Sequence, residues 1–339
     1  MCGIFGFAKQ SGHQTDKQLD MLKEVLTELA DESSIRGTDS TGMSIIQPNS
    51  RKTYKTLLDS SSLVDTGDWT ELLDDITKDT TIAIGHVRLA THGVIKTRNA
   101  HPFHVGDVVG AHNGIIHNYN KVASSLGKEV EVDSQVIFAS LNRHKMSKAF
   151  EDIDGDFAIT WIKDSNSTIH LARESGRPMS VAYWKKARIL FWASTDAILE
   201  MSMTKAGLRL PIENVKADFI HSYDTNKFTN KANEETEEFY TMSQWNRYTP
   251  SVYSYGGYEW KGSISSESTA CELSPSPASK LIGEMPETDL CEACMEWLPI
   301  EEVEIVNGRS ICVDCEYGDN TIPYYALTNK ENKDDKFPL

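Results

Sequence analysis

Seven short apolar runs, spaced without a regular strand-helix alternation, constrain this chain most. They are Gly42–Ile46, Thr81–Val87, Val108–Ile116, Phe157–Ile162, Thr168–Ala172, Val181–Trp184 and Ile189–Ala193, each short enough and apolar enough to read as a strand. Between them, Leu19, Leu22, Leu26 and Leu29 recur at intervals of three and four from Asp16 to Leu29 and mark one helical stripe. Asp133 opens a second helix through Leu141, and Asp196 to Met203 forms a short third one. Many strands with few, segregated helices imply an α+β fold in which sheet packs on sheet with helices outside. A chain of 339 residues has room for such a domain and for a smaller module besides.

Charge divides the chain. The formal net charge is −16, and residues 231–339 carry −13 of it. A tail of that sign is repelled by phosphate backbones, so nucleic acid is not an expected partner. No apolar run reaches the roughly 18 residues of a membrane span, and no secretory signal precedes Cys2. A cytoplasmic location is expected, and there six cysteines read as metal or catalytic chemistry rather than as a disulfide framework.

Cys2 follows Met1 directly, so removal of the initiator methionine joins a thiol and a free α-amine in one residue. An amine with an ordinary pKa of about 7.7–8.0 can take the thiol proton near neutral pH and free the sulfur to attack a carbonyl. Polar and cationic residues then cluster at strand ends, in Arg36-Gly37-Thr38-Asp39-Ser40, Gly85-His86-Val87-Arg88-Leu89-Ala90-Thr91-His92-Gly93, Asn99-Ala100-His101-Pro102 and Ala111-His112-Asn113-Gly114-Ile115-Ile116. Sites usually form in such places. Asn113-Gly114 also suits a two-residue hairpin turn.

Taken in order from Cys2 to about Ala197, these segments resemble the class II glutamine amidotransferases, the glutaminase domains of the N-terminal nucleophile hydrolase superfamily. The resemblance implies a four-layer αββα domain over residues 2–225 that hydrolyses the side-chain amide of L-glutamine and needs no cofactor for that step. It assigns Cys2 as nucleophile, with the Asn113 side chain and the Gly114 N–H receiving the oxyanion. Arg88 binds the α-carboxylate, Thr91 and His92 add contacts at that end, and Asp133 holds the α-ammonium. Arg36 and Asp39 brace the loop behind the nucleophile, and His86 and His101 stand in support. Many relatives carry Trp where this chain has Leu89, a departure expected to alter the cover over the substrate. The chain shows no Gly-x-x-x-x-Gly-Lys-Ser/Thr loop and no ATP-pyrophosphatase loop, so a partner protein is expected to use the ammonia. Two other readings stay open: an amidohydrolase acting on a different amide, and a binding or regulatory protein with a relic catalytic domain.

Residues 226–287 are rich in Glu, Ser, Tyr and Gly without a sustained apolar period, and read as a flexible linker. Cys291-x-x-Cys294 and Cys312-x-x-Cys315, separated by seventeen residues, have the spacing of a four-cysteine zinc site. Between them an alternating run to Val306, the pair Asn307-Gly308 and the return from Arg309 describe a hairpin. A zinc-ribbon-like module over residues 288–320, stabilised by its metal, is expected there, then a polar tail over 321–339. Cys271 has no evident role.

Overall fold

The computed structural model describes residues 2–90, 93–242, 288–290, 297–299, 303–306 and 309–312. Contacts divide the chain into two units, residues 1–253 and 254–339.

Two antiparallel sheets make the first unit. One runs in the order β11 (Ile212–Asn214), β9 (Ser180–Trp184), β10 (Ile189–Ala193), β1 (Gly3–Lys9), β4 (Ile82–Arg88), β2 (Ser40–Gln47), β3 (Ser50–Thr56). The other runs β13 (Glu234–Glu238), β12 (Phe219–Asp224), β8 (Thr168–Arg173), β7 (Gly155–Ile162), β6 (Val108–Ile116), β5 (Phe103–Val105). Strand alternation sends successive side chains to opposite faces, and the central strands of both sheets are buried on both faces. Ile4 and Ala8 of β1, with Ile82 and Ile84 of β4, meet Val109 and Ala111 of β6 and Ala158 of β7 in a core between the sheets. Phe5 and Phe7 point the other way, onto Leu22, Val25, Leu26 and Leu29 of α1 (Asp16–Ser33) and Ile198 of α6 (Asp196–Lys205). On the far side, Phe157, Ile159 and Trp161 of β7 pack with Val136, Ile137 and Leu141 of the helix over Ser134–Arg143, whose predecessor is Tyr119–Leu126. The result is four layers, αββα.

Local signals account for the helix starts. Thr15 accepts from the Gln18 N–H and Gln18 reaches back to the Thr15 N–H, a capping box at the start of α1. Thr195 caps α6 by accepting from the Ile198 N–H.

The expected start of the linker is wrong. Residues beyond 225 belong to the first unit: β13 pairs with β12 from Phe219↔Glu238 to Tyr223↔Glu234, and Phe228 and Phe239 are fully buried. Phe239 lies 4.5 Å from the Phe150 ring, and the Met242 N–H donates to the Ile153 carbonyl at 2.9 Å. Two aromatic side chains among many glutamates are enough to bind this segment to the core, and an average over composition hides them. Residues 243–287 lie outside the described residues.

In the second unit, Thr288–Leu290 pairs with Trp297–Pro299, and Val303–Val306 pairs with Arg309–Cys312 in the register Val306↔Arg309.

Candidate active site

Cys2 stands immediately before β1, and Arg88 is the last residue of β4 beside it, in the register Gly3↔Val87. The Cys2 Sγ lies 3.4 Å from both the backbone nitrogen and the carbonyl oxygen of Leu89. Behind it the chain is pinned twice. The Arg36 Nε–H donates to the Cys2 carbonyl at 2.9 Å, and Asp39 ties down the segment after β4, its Oδ2 accepting from the Ala90 N–H at 2.7 Å.

Asn113 and Gly114 lie within β6, paired with Ala158 and Phe157 of β7, so they are not a hairpin turn. Asn113 has the strand parity of Val109 and Ala111, which face the first sheet. It is 1% exposed, and its Nδ2 has no hydrogen-bond partner among the described residues. Gly114 has φ +145°, and a Cβ there would sit 2.0 Å from the Asp156 carbonyl oxygen. Only glycine is tolerated at so close a strand crossing. Asp133 is buried just ahead of the helix Ser134–Arg143, its Oδ2 accepting from the Ile116 N–H at 2.8 Å. Cys2, Arg88, Gly114 and Asp133 line one pocket.

Residues 86–200 match a family model described as a glutamine amidotransferase domain. The glutamine–fructose-6-phosphate aminotransferase of Helicobacter pylori is 31% identical over 218 residues, which is 59% of this chain and 33% of that protein. The Staphylococcus epidermidis enzyme of the same name is 26% identical over 220 residues, 60% of this chain and 33% of its own. Over residues 86–200 the chain therefore carries glutamine amidotransferase domain sequence. Its fold agrees with a solved glutamine phosphoribosylpyrophosphate amidotransferase from B. subtilis at a TM-score of 0.52 and 16% identity, over 70% of this chain and 49% of that one. The chain spans about a third of the length of the curated relatives it matches.

Electrostatics in the amidotransferase pocket follow from burial. Desolvation pushes the Cys2 thiol up, opposed by the Leu89 backbone hydrogen bond and the charge of Arg88, so an uncharged thiol is favoured at rest and a base must remove its proton. His86 is held down to about 3 by burial, and His101 well below its ordinary value by burial and the neighbouring imidazoles. His112 is lowered too, again by burial, with Asp133 opposing. Three neutral imidazoles therefore stand around the pocket at pH 7.

The expected residues separate in space. His86, Arg36 and Asp39 do not line the pocket, and Asn113 adjoins its lining residue Gly114. His101, expected only in support, is part of the wall, as are Leu89, His112 and Ser134. Ser134 stands in the segment Val132-Asp133-Ser134 that marks Asp133, but the sequence gives it no role of its own. Its place directly after Asp133 at a helix start is the available signal, and its Oγ lies 2.7 Å from the His112 Nδ1. Thr91 and His92 lie outside the described residues, as do Cys271, Cys291, Cys294 and Cys315. Cys312 ends the last described strand.

Proposed function

We propose that this domain hydrolyses L-glutamine to L-glutamate through an N-terminal cysteine thioester and passes the ammonia to an acceptor site outside the domain. The observation that carries the reading is the convergence of Cys2, Arg88, Gly114 and Asp133 on one pocket, next to an Asn113 amide with no partner among the described residues. After loss of Met1, the Cys2 α-amine takes the thiol proton and the sulfur adds to the glutamine amide carbon. The negative oxygen so formed is received by the Asn113 Nδ2–H and the Gly114 N–H. Collapse of this intermediate breaks the carbon–nitrogen bond, the α-ammonium gives its proton to the departing nitrogen, and ammonia leaves. Water then adds to the thioester, with the amine again as base, to release glutamate and restore the thiol. Arg88 offers a planar donor pair to the α-carboxylate, and Asp133, anchored through one oxygen by the Ile116 N–H, attracts the α-ammonium.

No helix among the described residues is long and apolar enough to cross a membrane, and this reading places the protein in the cytoplasm. It assigns one structural zinc ion to Cys291, Cys294, Cys312 and Cys315. Backbone placement fits that assignment: the strand Thr288–Leu290, which Cys291 follows in sequence, lies against the strand Arg309–Cys312. Four thiolates would supply a tetrahedral set, and the ion would contribute folding energy to the module of residues 288–320, which is too small to hold itself by burial.

The test is glutamate and ammonia release by purified protein. Cys2→Ala and an N-terminal extension that cannot be removed should each abolish it, and a diazoketone analogue of glutamine should label Cys2. Full activity with the extension intact would exclude the α-amine as base.

A further inference from the structure

Three histidines from separate segments cluster here: His101 before β5 and His112 on β6 line the pocket, and His86 on β4 stands behind His101. The rings of His86 and His101 are 4.0 Å apart at their centroids, and those of His101 and His112 6.5 Å. Their hydrogen bonds are unequal. The His86 Nε2 lies 3.0 Å from the His112 carbonyl oxygen, which can only accept, so Nε2 carries the hydrogen. The His112 Nδ1 meets the Ser134 Oγ. Among the described residues, His101 finds no hydrogen-bond partner for either nitrogen, although it is 2% exposed and lines the pocket.

Among the described residues, ring packing holds His101. It stacks on His86 and meets Phe103 edge-on at 4.5 Å. Its backbone is clamped on β2, where a Cβ on Gly42 would come within 2.0 Å of the His101 carbonyl oxygen. A buried polar group without a partner costs about 1–3 kcal/mol, and such groups persist where a ligand completes them. Position decides which part of the ligand. The His101 ring lies against His86, two residues before Arg88 on β4, whereas His112 meets Ser134, the neighbour of Asp133. His101 thus stands at the arginine end of the pocket.

We propose that His101 is a substrate-binding residue that donates a hydrogen bond to the α-carboxylate of glutamine, beside Arg88. The proposal rests on the glutaminase reading and deepens it. A neutral imidazole suits the task, because its N–H adds a third donor to the guanidinium fork without a second positive charge to bury.

Among the described residues the fold does not use the ring nitrogens, so an apolar replacement should separate stability from binding. In the full chain, His101→Leu should leave the melting temperature equal to wild type or higher. It should raise the KM for glutamine about tenfold or more, the scale of a lost charge-assisted hydrogen bond, and leave kcat nearly unchanged. Binding of L-glutamate to Cys2→Ala, measured by calorimetry, should weaken by the same factor when His101→Leu is added. With γ-aminobutyramide, which lacks the α-carboxylate, the substitution should change kcat/KM little, and His101→Gln should recover part of the glutamine affinity. An unchanged KM overturns the proposal, and so does an equal loss on both amides with a lowered melting temperature, the mark of a structural histidine. Where leucine does not fit the site, His101→Ala decides by the same comparison of the two amides. Wild-type protein that hydrolyses neither amide and takes no diazoketone label on Cys2 refutes the glutaminase reading instead.

Discussion

Asn113→Ala should separate catalysis from folding more sharply than any other change in the pocket. The Asn113 Nδ2 is buried and makes no hydrogen bond among the described residues, so its deletion breaks none there. Removing an unsatisfied donor recovers part of a penalty of about 1–3 kcal/mol, and the small cavity left behind costs a similar amount. Net stability should therefore move by no more than about 1 kcal/mol, which for a unit of this size is roughly 2–4 °C in melting temperature. In the transition state the same amide faces a full negative charge in a site closed to water, and loss of one such donor typically costs about 2.7–4 kcal/mol, or a factor of 10²–10³ in kcat. The ground-state amide gains little from this donor, so KM should hold. Initial rates of glutamate release, paired with a thermal melt of the same preparation, supply the assay. A kcat within about fivefold of wild type would remove Asn113 from the oxyanion site, and a loss of activity matched by a loss of several degrees would make it a packing residue.

Three further outcomes follow from the same geometry. His86, held down to about 3, and His170, held down to about 4, are buried neutral in the folded state. The unfolded chain binds more protons below pH 6.5, so their stability contribution is complete above that pH and is lost as pH falls toward the folded values. Each should cost up to about 2 kcal/mol between pH 6.5 and 5; thermal melts across that range should show the decline, and His170→Gln should flatten it. Cutting the chain after residue 230 removes β13 and the buried Phe239 and should destabilise the amidotransferase unit by several kcal/mol, judging from about 3–5 kcal/mol for a deleted core phenylalanine; cutting after residue 253 should leave glutaminase rates intact, and equal stability of the two truncations in denaturant would refute the role given to β13. Metal analysis of protein prepared under reducing conditions should find one zinc per chain, lost on Cys312→Ser, and chelation should spare glutamine hydrolysis; a preparation without zinc removes the metal from the account.

What the sequence discloses, and what it hides, follows from how each element is stabilised. The seven apolar runs all fall on strands because burial on both faces demands apolar residues throughout. β1 escapes that reading although Phe5, Phe7, Ile4 and Ala8 supply both cores; Gly6 interrupts its apolar run. β3 and β13 have no such pattern to read. The first, Ser-Arg-Lys-Thr-Tyr-Lys-Thr, is a half-exposed edge, and the second carries four glutamates and is exposed along its length. Pairing with a neighbour makes them strands, against local propensity. The helices Ser60–Val64, Gly67–Asp74 and Tyr119–Leu126 are too short for periodicity to reveal.

The site divides along the same line. The ordered motifs single out Cys2, Arg88, Asn113 and Gly114, and the resemblance adds Asp133; that four of the five line one pocket is a convergence that composition alone does not reveal. Which histidine faces the substrate depends on hydrogen bonds between sheets, and no spacing encodes those. His86 gives its hydrogen to the backbone of β6 and His112 is engaged by Ser134, while His101, between them in sequence, is left without a partner among the described residues. The unpaired polar atoms at Asn113 and His101 are thus two parts of one arrangement. The fold leaves several buried polar atoms without a partner among the described residues, Asn113 and His101 among them; under the proposed reading the first turns to the reacting amide and the second to the α-carboxylate. Stability and substrate affinity should therefore trade against each other at both positions, and a double variant, Asn113→Ala with His101→Leu, should fold at least as well as either single change while losing kcat through the first and KM through the second.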